Sequence, residues 1–381
     1  MPDPNLKSLF LLDPKIHFLN HGSFGAVPRP VFAAWRRWQR RLERQPVRFL
    51  GRDLEGLLAG VRHRLAAEFG AVPEDLLLVP NVTYAVNLVA RSLALDPGDE
   101  VLASDQEYGA CDLVWTRVCA AQGAHYRRQS LPFLAADDGA LADALWSGVT
   151  PRTRLIFLSL ITSPTAIRLP VEDICRRARA SGIAVLVDGA HAPGQIPLHL
   201  DALGADYFTG NLHKWALTPR GAAFLHVRRD RQEALQPLVV SWGDENGTSA
   251  SLAARLQWTG TDDPSALLAV PAALEFASDH DWATVRRQCS RLLAEVLEEI
   301  DRFTGLPTLH RSGAEFPLQM GSALLPPATD TALLKRRLYD EHRVEVPIIE
   351  WSNRILLRVS VQGYNDGGDA LALLASLRAL L

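Results

Sequence analysis

Apolar residues between Val31 and Phe69 recur at three- and four-residue spacings among many arginines ("VFAAWRRWQRRLERQ", then "LEGLLAGVRHRLAAEF"), a period that predicts helix. In "LLLVPNVTYAVNLVARSLAL" a short apolar run stops at Pro80, Asn81 supplies a capping side chain, and a new amphipathic helix is expected from near Thr83. Short apolar runs then alternate with helical stretches such as "VEDICRRARASG". The strand candidates are "EVLAS", "AHYRRQSL", "TRLIFLSLI", "AVLVDGA", "YFTGNL" and "AAFLHV". Strand and helix in alternation argue for an α/β fold with a largely parallel sheet covered on both faces. After about Ser265 the pattern changes to one long helix, "LLAVPAALEFASDHDWATVRRQCSRLLAEVLEEIDRF", followed by mixed strand and helix. The expected division is an N-terminal segment (1–25), a large domain (26–264) and a smaller C-terminal α/β domain (265–381).

Composition narrows the function classes. The chain has 381 residues, is 48% hydrophobic and carries a formal net charge of −3, which gives no electrostatic reason to bind nucleic acid. No apolar stretch approaches the roughly 20 residues needed to cross a bilayer, and the early "SLFLL" run lacks a cleavage site, so the cytoplasm is the default location. Cys111, Cys119, Cys175 and Cys289 show neither a C-x-x-C pair nor a Cys/His cluster of metal-ligand spacing. They read as reduced and buried, and no metal is expected.

Lysine and arginine together number 40, yet only four are lysines, and one of them stands in "GNLHKWALTPRG". In open parallel sheets ligands bind beyond the carboxyl ends of the strands. Asp188 and His191 close one strand there, Asn211, His213 and Lys214 close another, and Thr83 opens a helix. Pyridoxal phosphate uses such a set. Its aldehyde needs a primary amine for a Schiff base, which arginine cannot supply. Its pyridine nitrogen needs a carboxylate, which Asp188 fits, and its phosphate needs donors at a helix start, for which Val82, Thr83, Asn211 and His213 are candidates. Tyr108 of "DQEYGA" is the candidate flat partner for the ring. Taken singly, Asp188 is a turn residue, His191 a core histidine and Thr83 a helix cap; their occurrence together, in this order, carries the functional reading.

The chain resembles the class V aminotransferase group of fold-type-I pyridoxal phosphate enzymes, and within it the isopenicillin N epimerase-like branch. The resemblance covers nearly the whole length, through "FLNHGSFGAVPRPV", "FLGRDLEGLL", "PNVTYAVN", "TSPTAIRLPV", "VDGAHAPGQIPL", "GNLHKW", "TGTDDPSALLAVPAAL" and "LRVSVQGYN". It implies a seven-stranded, mostly parallel sheet. It also implies that Lys214 holds the cofactor and, once displaced by substrate, moves the α-proton, with Asp188 on the pyridine nitrogen. His191, and more weakly Ser163, match the position beside the ring's phenolic oxygen, and Tyr108 matches the stacking position. Gly260 and Thr261 of "WTGTDD" match a loop that in relatives reaches the phosphate from a neighbouring subunit, which implies a homodimer with its site at the interface. Arg358 matches the arginine for the substrate α-carboxylate, and Asn20 and His21 match a substrate-facing N-terminal loop. A small amino-acid-like substrate follows. A cysteine desulfurase would need a nucleophilic cysteine on a C-terminal loop, and no cysteine follows Cys289. Epimerisation is the first expectation; carbon–sulfur cleavage of a cysteine derivative, as in hercynylcysteine sulfoxide lyases, and transamination are the alternatives. A non-catalytic binding protein of this fold would not need lysine, aspartate and phosphate donors together.

Overall fold

The alternating runs become a sheet in the computed structural model, which describes residues 4–134, 137–246, 250–309 and 318–381. Its strands are β1 (Leu76–Val79), β2 (Glu100–Ser104), β3 (His125–Gln129), β4 (Thr153–Ser159), β5 (Ala184–Asp188), β6 (Tyr207–Asn211) and β7 (Ala223–Val227). They lie in the order β1-β7-β6-β5-β4-β2-β3. Neighbours from β6 to β3 pair parallel, and β7 runs antiparallel to both β6 and β1. All six expected strands are present, and the "LLLV" run adds the seventh.

Alternate residues of every strand but the edge strand β3 enter two separate cores. Leu76, Leu78, Leu102, Ile156, Leu158, Val185 and Val187 pack on one face; Leu77, Val79, Val101, Ala103, Leu155, Phe157 and Leu186 pack on the other. Period-two alternation with both faces apolar is why these strands read as unbroken hydrophobic runs, and why the first polar residue of "AVLVD" marks the sheet's edge. The helices that bear on the site are α1 (Arg29–Arg44), α2 (Leu54–Phe69), α3 (Val82–Ser92) and α4 (Gly109–Gln122).

A second, three-stranded antiparallel sheet has the order β9-β10-β8, where β8 is Met320–Leu325, β9 Ile348–Trp351 and β10 Arg354–Ser360. Its core also takes in the chain's beginning: Leu6, Phe10, Leu19 and Val31 pack with Val285, Leu293, Val296, Leu357 and Val359. His17 and Phe18 pair parallel with Val344 and Glu345.

Two helical expectations need correction. The long helix after Ser265 is three helices, Ser265–Leu268, Val270–Asp279 and Trp282–Thr304. Pro271 in the first turn of the second lacks an N–H, and Asp281, at φ 41°, turns left-handed and caps the third through Thr284 N–H. Likewise the stretch before Phe69 breaks at Pro46 and passes through a π-helical turn, Phe49–Asp53, between α1 and α2.

Candidate active site

The carboxyl ends of β2, β4, β5 and β6 bring Ser104, Ser159, Asp188 and Asn211 to one edge of the sheet, with Ser159 and Asp188 in direct register. Asp188 is buried. Its Oδ1 accepts from Ala190 N–H at 2.8 Å, and its Oδ2 lies 3.8 Å from Cys111 Sγ on α4. Among the described residues no ion pair reaches it. Burial pushes its pKa upward, against the opposing pull of Ala190 N–H and the Lys214 charge. Beside it lies a second carboxyl that sequence reading missed. Glu107 is buried, and the hydroxyls of Ser104 and Ser159 donate to its two oxygens at 2.5 and 2.6 Å. Burial, with the Asp188 charge adding to it, raises Glu107 to about 8, so it is largely neutral at pH 7. The residue thereby ties β2 to β4 immediately before Tyr108.

Lys214 follows β6 in a buried turn. Its Nζ is 3.2 Å from His191 Nε2, and the indole N–H of Trp215 donates to His191 Nδ1 at 3.3 Å. Burial, then the Arg358 charge, lowers the Lys214 amine from the usual 10.5 to about 8. His191 is driven well below its ordinary value by burial and by the Lys214, Arg358 and His213 charges. The backbone is tight here. A Cβ on Gly25 would stand 1.9 Å from His213 O, and one on Gly194 2.3 Å from Trp215 O, so glycine is required for both close approaches. Leu217 adopts φ 61°, a strained conformation for a branched side chain, three residues beyond the lysine.

The position of His21 differs from the expected substrate-facing one. It is fully buried behind the lysine: its Nε2 pairs with Lys214 O at 2.8 Å and its Nδ1 with the Tyr364 hydroxyl at 2.9 Å. Burial lowers it to about 4, and the neutral ring braces the turn from below.

At the start of α3, Asn81 Oδ1 accepts from Tyr84 N–H and Asn211 Oδ1 accepts from Val82 N–H at 3.1 Å. The Val82 donor expected for phosphate is therefore already spent on Asn211. Among the described residues the Thr83 N–H, its hydroxyl and the Asn211 amide nitrogen have no partner. His213 is half-buried, lowered to about 4 by burial first, and its Nδ1 is buried without a partner.

Arg358 on β10 is buried, and its Nη1 donates to Ser163 O at 2.7 Å and Ser163 Oγ at 3.1 Å. Ser163, expected near the ring oxygen, is here an orienter of the guanidinium. The other arm, Nη2, donates to Ser23 Oγ at 3.2 Å; Ser23 donates to Asn20 Oδ1 at 2.5 Å, and Asn20 donates to Glu345 at 2.9 Å. Asn20 thus acts through Ser23. Arg358 Nε is buried and unpartnered. Burial lowers this arginine to about 10, with Tyr108 opposing, and it stays charged at neutral pH. Tyr108 is half exposed at the start of α4.

Gly260 and Thr261 are not brought to Lys214 within one chain. Gly260 instead lines a cavity of about 230 Å³ with Leu54, Pro80, Tyr84 and Trp258, and neither Lys214, Asp188 nor His191 lines it. The four cysteines are free and buried, and burial raises each thiol, Cys289 to about 12, which leaves no reactive thiolate. Among the described residues no cluster of three or more His, Cys, Asp or Glu could hold a metal ion, and no helix is long and apolar enough to cross a membrane.

These residues fit pyridoxal phosphate. Asp188 is a buried carboxyl lacking the cation a protonated pyridine nitrogen would supply, Lys214 is an amine held near neutrality, and the open donors of Thr83 and Asn211 suit an anion at a helix start. The lowered amine sets a pH dependence. Lys214 is nucleophilic when unprotonated, so cofactor uptake by the apoprotein is expected to rise with pH and reach half its plateau near 8, as stopped-flow absorbance would record; an ordinary lysine would continue rising towards 10.5.

The aminotransferase class-V family model matches residues 28–317. The chain is 38% identical to an isopenicillin N epimerase of Amycolatopsis lactamdurans over 99% of its own length and 98% of the relative's. It is 31% identical to a probable chloroplastic L-cysteine desulfhydrase of Arabidopsis thaliana, over 70% of this chain and 59% of that one. Among solved structures, a C-DES variant with glycine covalently linked to its PLP cofactor superposes with a TM-score of 0.87 at 22% identity, covering 100% of both chains.

Proposed function

Since the chain belongs to the aminotransferase class-V family of pyridoxal phosphate enzymes, we propose that its reaction is inversion at the α-carbon of an amino-acid substrate, as the name of its epimerase relatives describes. The observation that carries this reading is the Lys214 amine, 3.2 Å from His191 Nε2 and under the opposing charges of Arg358 and Asp188. When bound, pyridoxal phosphate supplies an electron-withdrawing ring that spreads the charge left when an α-proton departs.

The chain's own residues do the rest. Arg358 holds the α-carboxylate through its unpartnered Nε and the arm now shared with Ser23, so the α-carbon is presented to Lys214. The Lys214 amine, neutral in a useful fraction near pH 8, takes the α-proton. Asp188, buried and without an ion-pair partner among the described residues, would keep a proton on the pyridine nitrogen of the bound cofactor. With the cofactor bound, His191 would donate towards the ring's oxygen, Tyr108 would cover one face, and Thr83 with Asn211 would receive the phosphate. Gly260 and Thr261 serve the phosphate of a partner subunit in a homodimer.

A second reading is carbon–sulfur bond cleavage of a cysteine-derived substrate, favoured by the similarity to cysteine desulfhydrases. Both readings share proton removal by Lys214 and part afterwards. Incubation of candidate amino acids in deuterated water distinguishes them: deuterium at the α-carbon with loss of optical purity supports inversion, whereas pyruvate, ammonia and a released thiol overturn it in favour of the lyase.

A further inference from the structure

Trp215 follows the lysine directly and is not among the residues assigned above. Its indole N–H is a donor only, with no lone pair to accept a proton in exchange. That N–H meets His191 Nδ1 at 3.3 Å, while the opposite ring nitrogen, Nε2, faces Lys214 Nζ at 3.2 Å. A donor on Nδ1 obliges that nitrogen to present its lone pair. In a neutral imidazole the proton must then reside on Nε2, the side facing the lysine.

Neither partner has freedom to rearrange. Trp215 is 1% exposed, its ring packs on His21 at a centroid distance of 5.0 Å, and its carbonyl is covered by Gly194. The His191 carbonyl accepts from Gln195 Nε2 at 2.6 Å, which holds its backbone. A second ring proton would place N–H against N–H at Nδ1, in a pocket that already faces Lys214, Arg358 and His213.

We propose that Trp215 is a positioning residue that fixes His191 as the Nε2–H tautomer, so that the ring can only donate towards the site, and that this prevents an imidazolium from forming beside the lysine. An Nδ1–H tautomer would offer a lone pair there instead and repel an anionic oxygen. The tautomer follows from the Trp215 contact alone; its use in donating to the cofactor's phenolic oxygen rests on the function proposed above.

The test is long-range proton–nitrogen NMR of the full-length holoenzyme labelled with nitrogen-15 histidine, the His191 signals being those lost in His191→Asn. A protonated Nε2 and unprotonated Nδ1 between about pH 6 and pH 9 are expected; a proton on Nδ1, alone or with Nε2, overturns the proposal. In Trp215→Phe, which keeps an apolar ring without the N–H, a proton is expected to appear on Nδ1. The pH midpoint of the bound cofactor's visible absorption is expected to shift, and kcat to fall about tenfold with KM little changed. A folded Trp215→Phe whose His191 nitrogens are unchanged also overturns it, and if the variant does not fold, the unsubstituted protein decides. Failure of the epimerase reading would leave the nitrogen spectrum as expected, so the two failures are distinguishable.

Discussion

Lys214→Ala is expected to lose α-proton exchange by about 10³-fold or more, read as deuterium incorporation into substrate. No second amine acts on this site: Lys7 pairs with Asp366 and Asp369, and the basic groups within electrostatic range of Lys214 are a guanidinium and imidazoles whose pKa burial lowers. Cofactor should still bind, through Thr83, Asn211 and Asp188, but borohydride should no longer fix it to the chain, as intact mass would show. Undiminished exchange in this variant would mean that another group removes the proton.

Arg358→Met should lower kcat/KM for amino-acid substrates by roughly 10²- to 10³-fold, since removing one member of a buried, hydrogen-bonded charge pair costs about 2–5 kcal/mol. Most of the loss should fall on KM, because the arginine holds the substrate in ground and transition states alike. A second signature separates this from misfolding. The Arg358 charge depresses the Lys214 amine, so removing it should move the midpoint of cofactor uptake from about 8 to higher pH. A variant with unchanged uptake and unchanged KM would place the carboxylate elsewhere.

Local sequence carried the sheet and pointed to most residues of the candidate site, because both readings rest on short-range chemistry. A buried strand must be apolar until it leaves the core, so the Asp of "AVLVDGAH" and the Asn of "YFTGN" announced the edge where ligands bind. What could not be read was the spending of hydrogen bonds between segments far apart in the chain. The Val82 N–H looked open until Asn211, 129 residues on, was found to occupy it. His21 belonged to a loop expected to face substrate, yet its partners are Lys214 O and Tyr364, separated from it by 193 and 343 positions. Glu107 and Trp215 stood next to residues already singled out, and adjacency was their only signal; the burial that neutralises one and immobilises the other is a tertiary fact. The breaks at Pro271 and Asp281 were legible in principle, since a proline and a turn-forming Asp interrupt the periodic pattern there.

The bracing of the lysine turn by His21 and Tyr364 bears on how the protein is made. Residues 6 to 31 leave the ribosome well before most of the hydrophobic groups they pack against, from Ala269 to Leu377. The sheet with its aspartate can form before the floor beneath the lysine, which closes only when both His21 and Tyr364 have been delivered. A nascent chain halted before Tyr364 would therefore have an assembled sheet and an amine without its floor, so vitamin B6 would load only after that tyrosine has emerged.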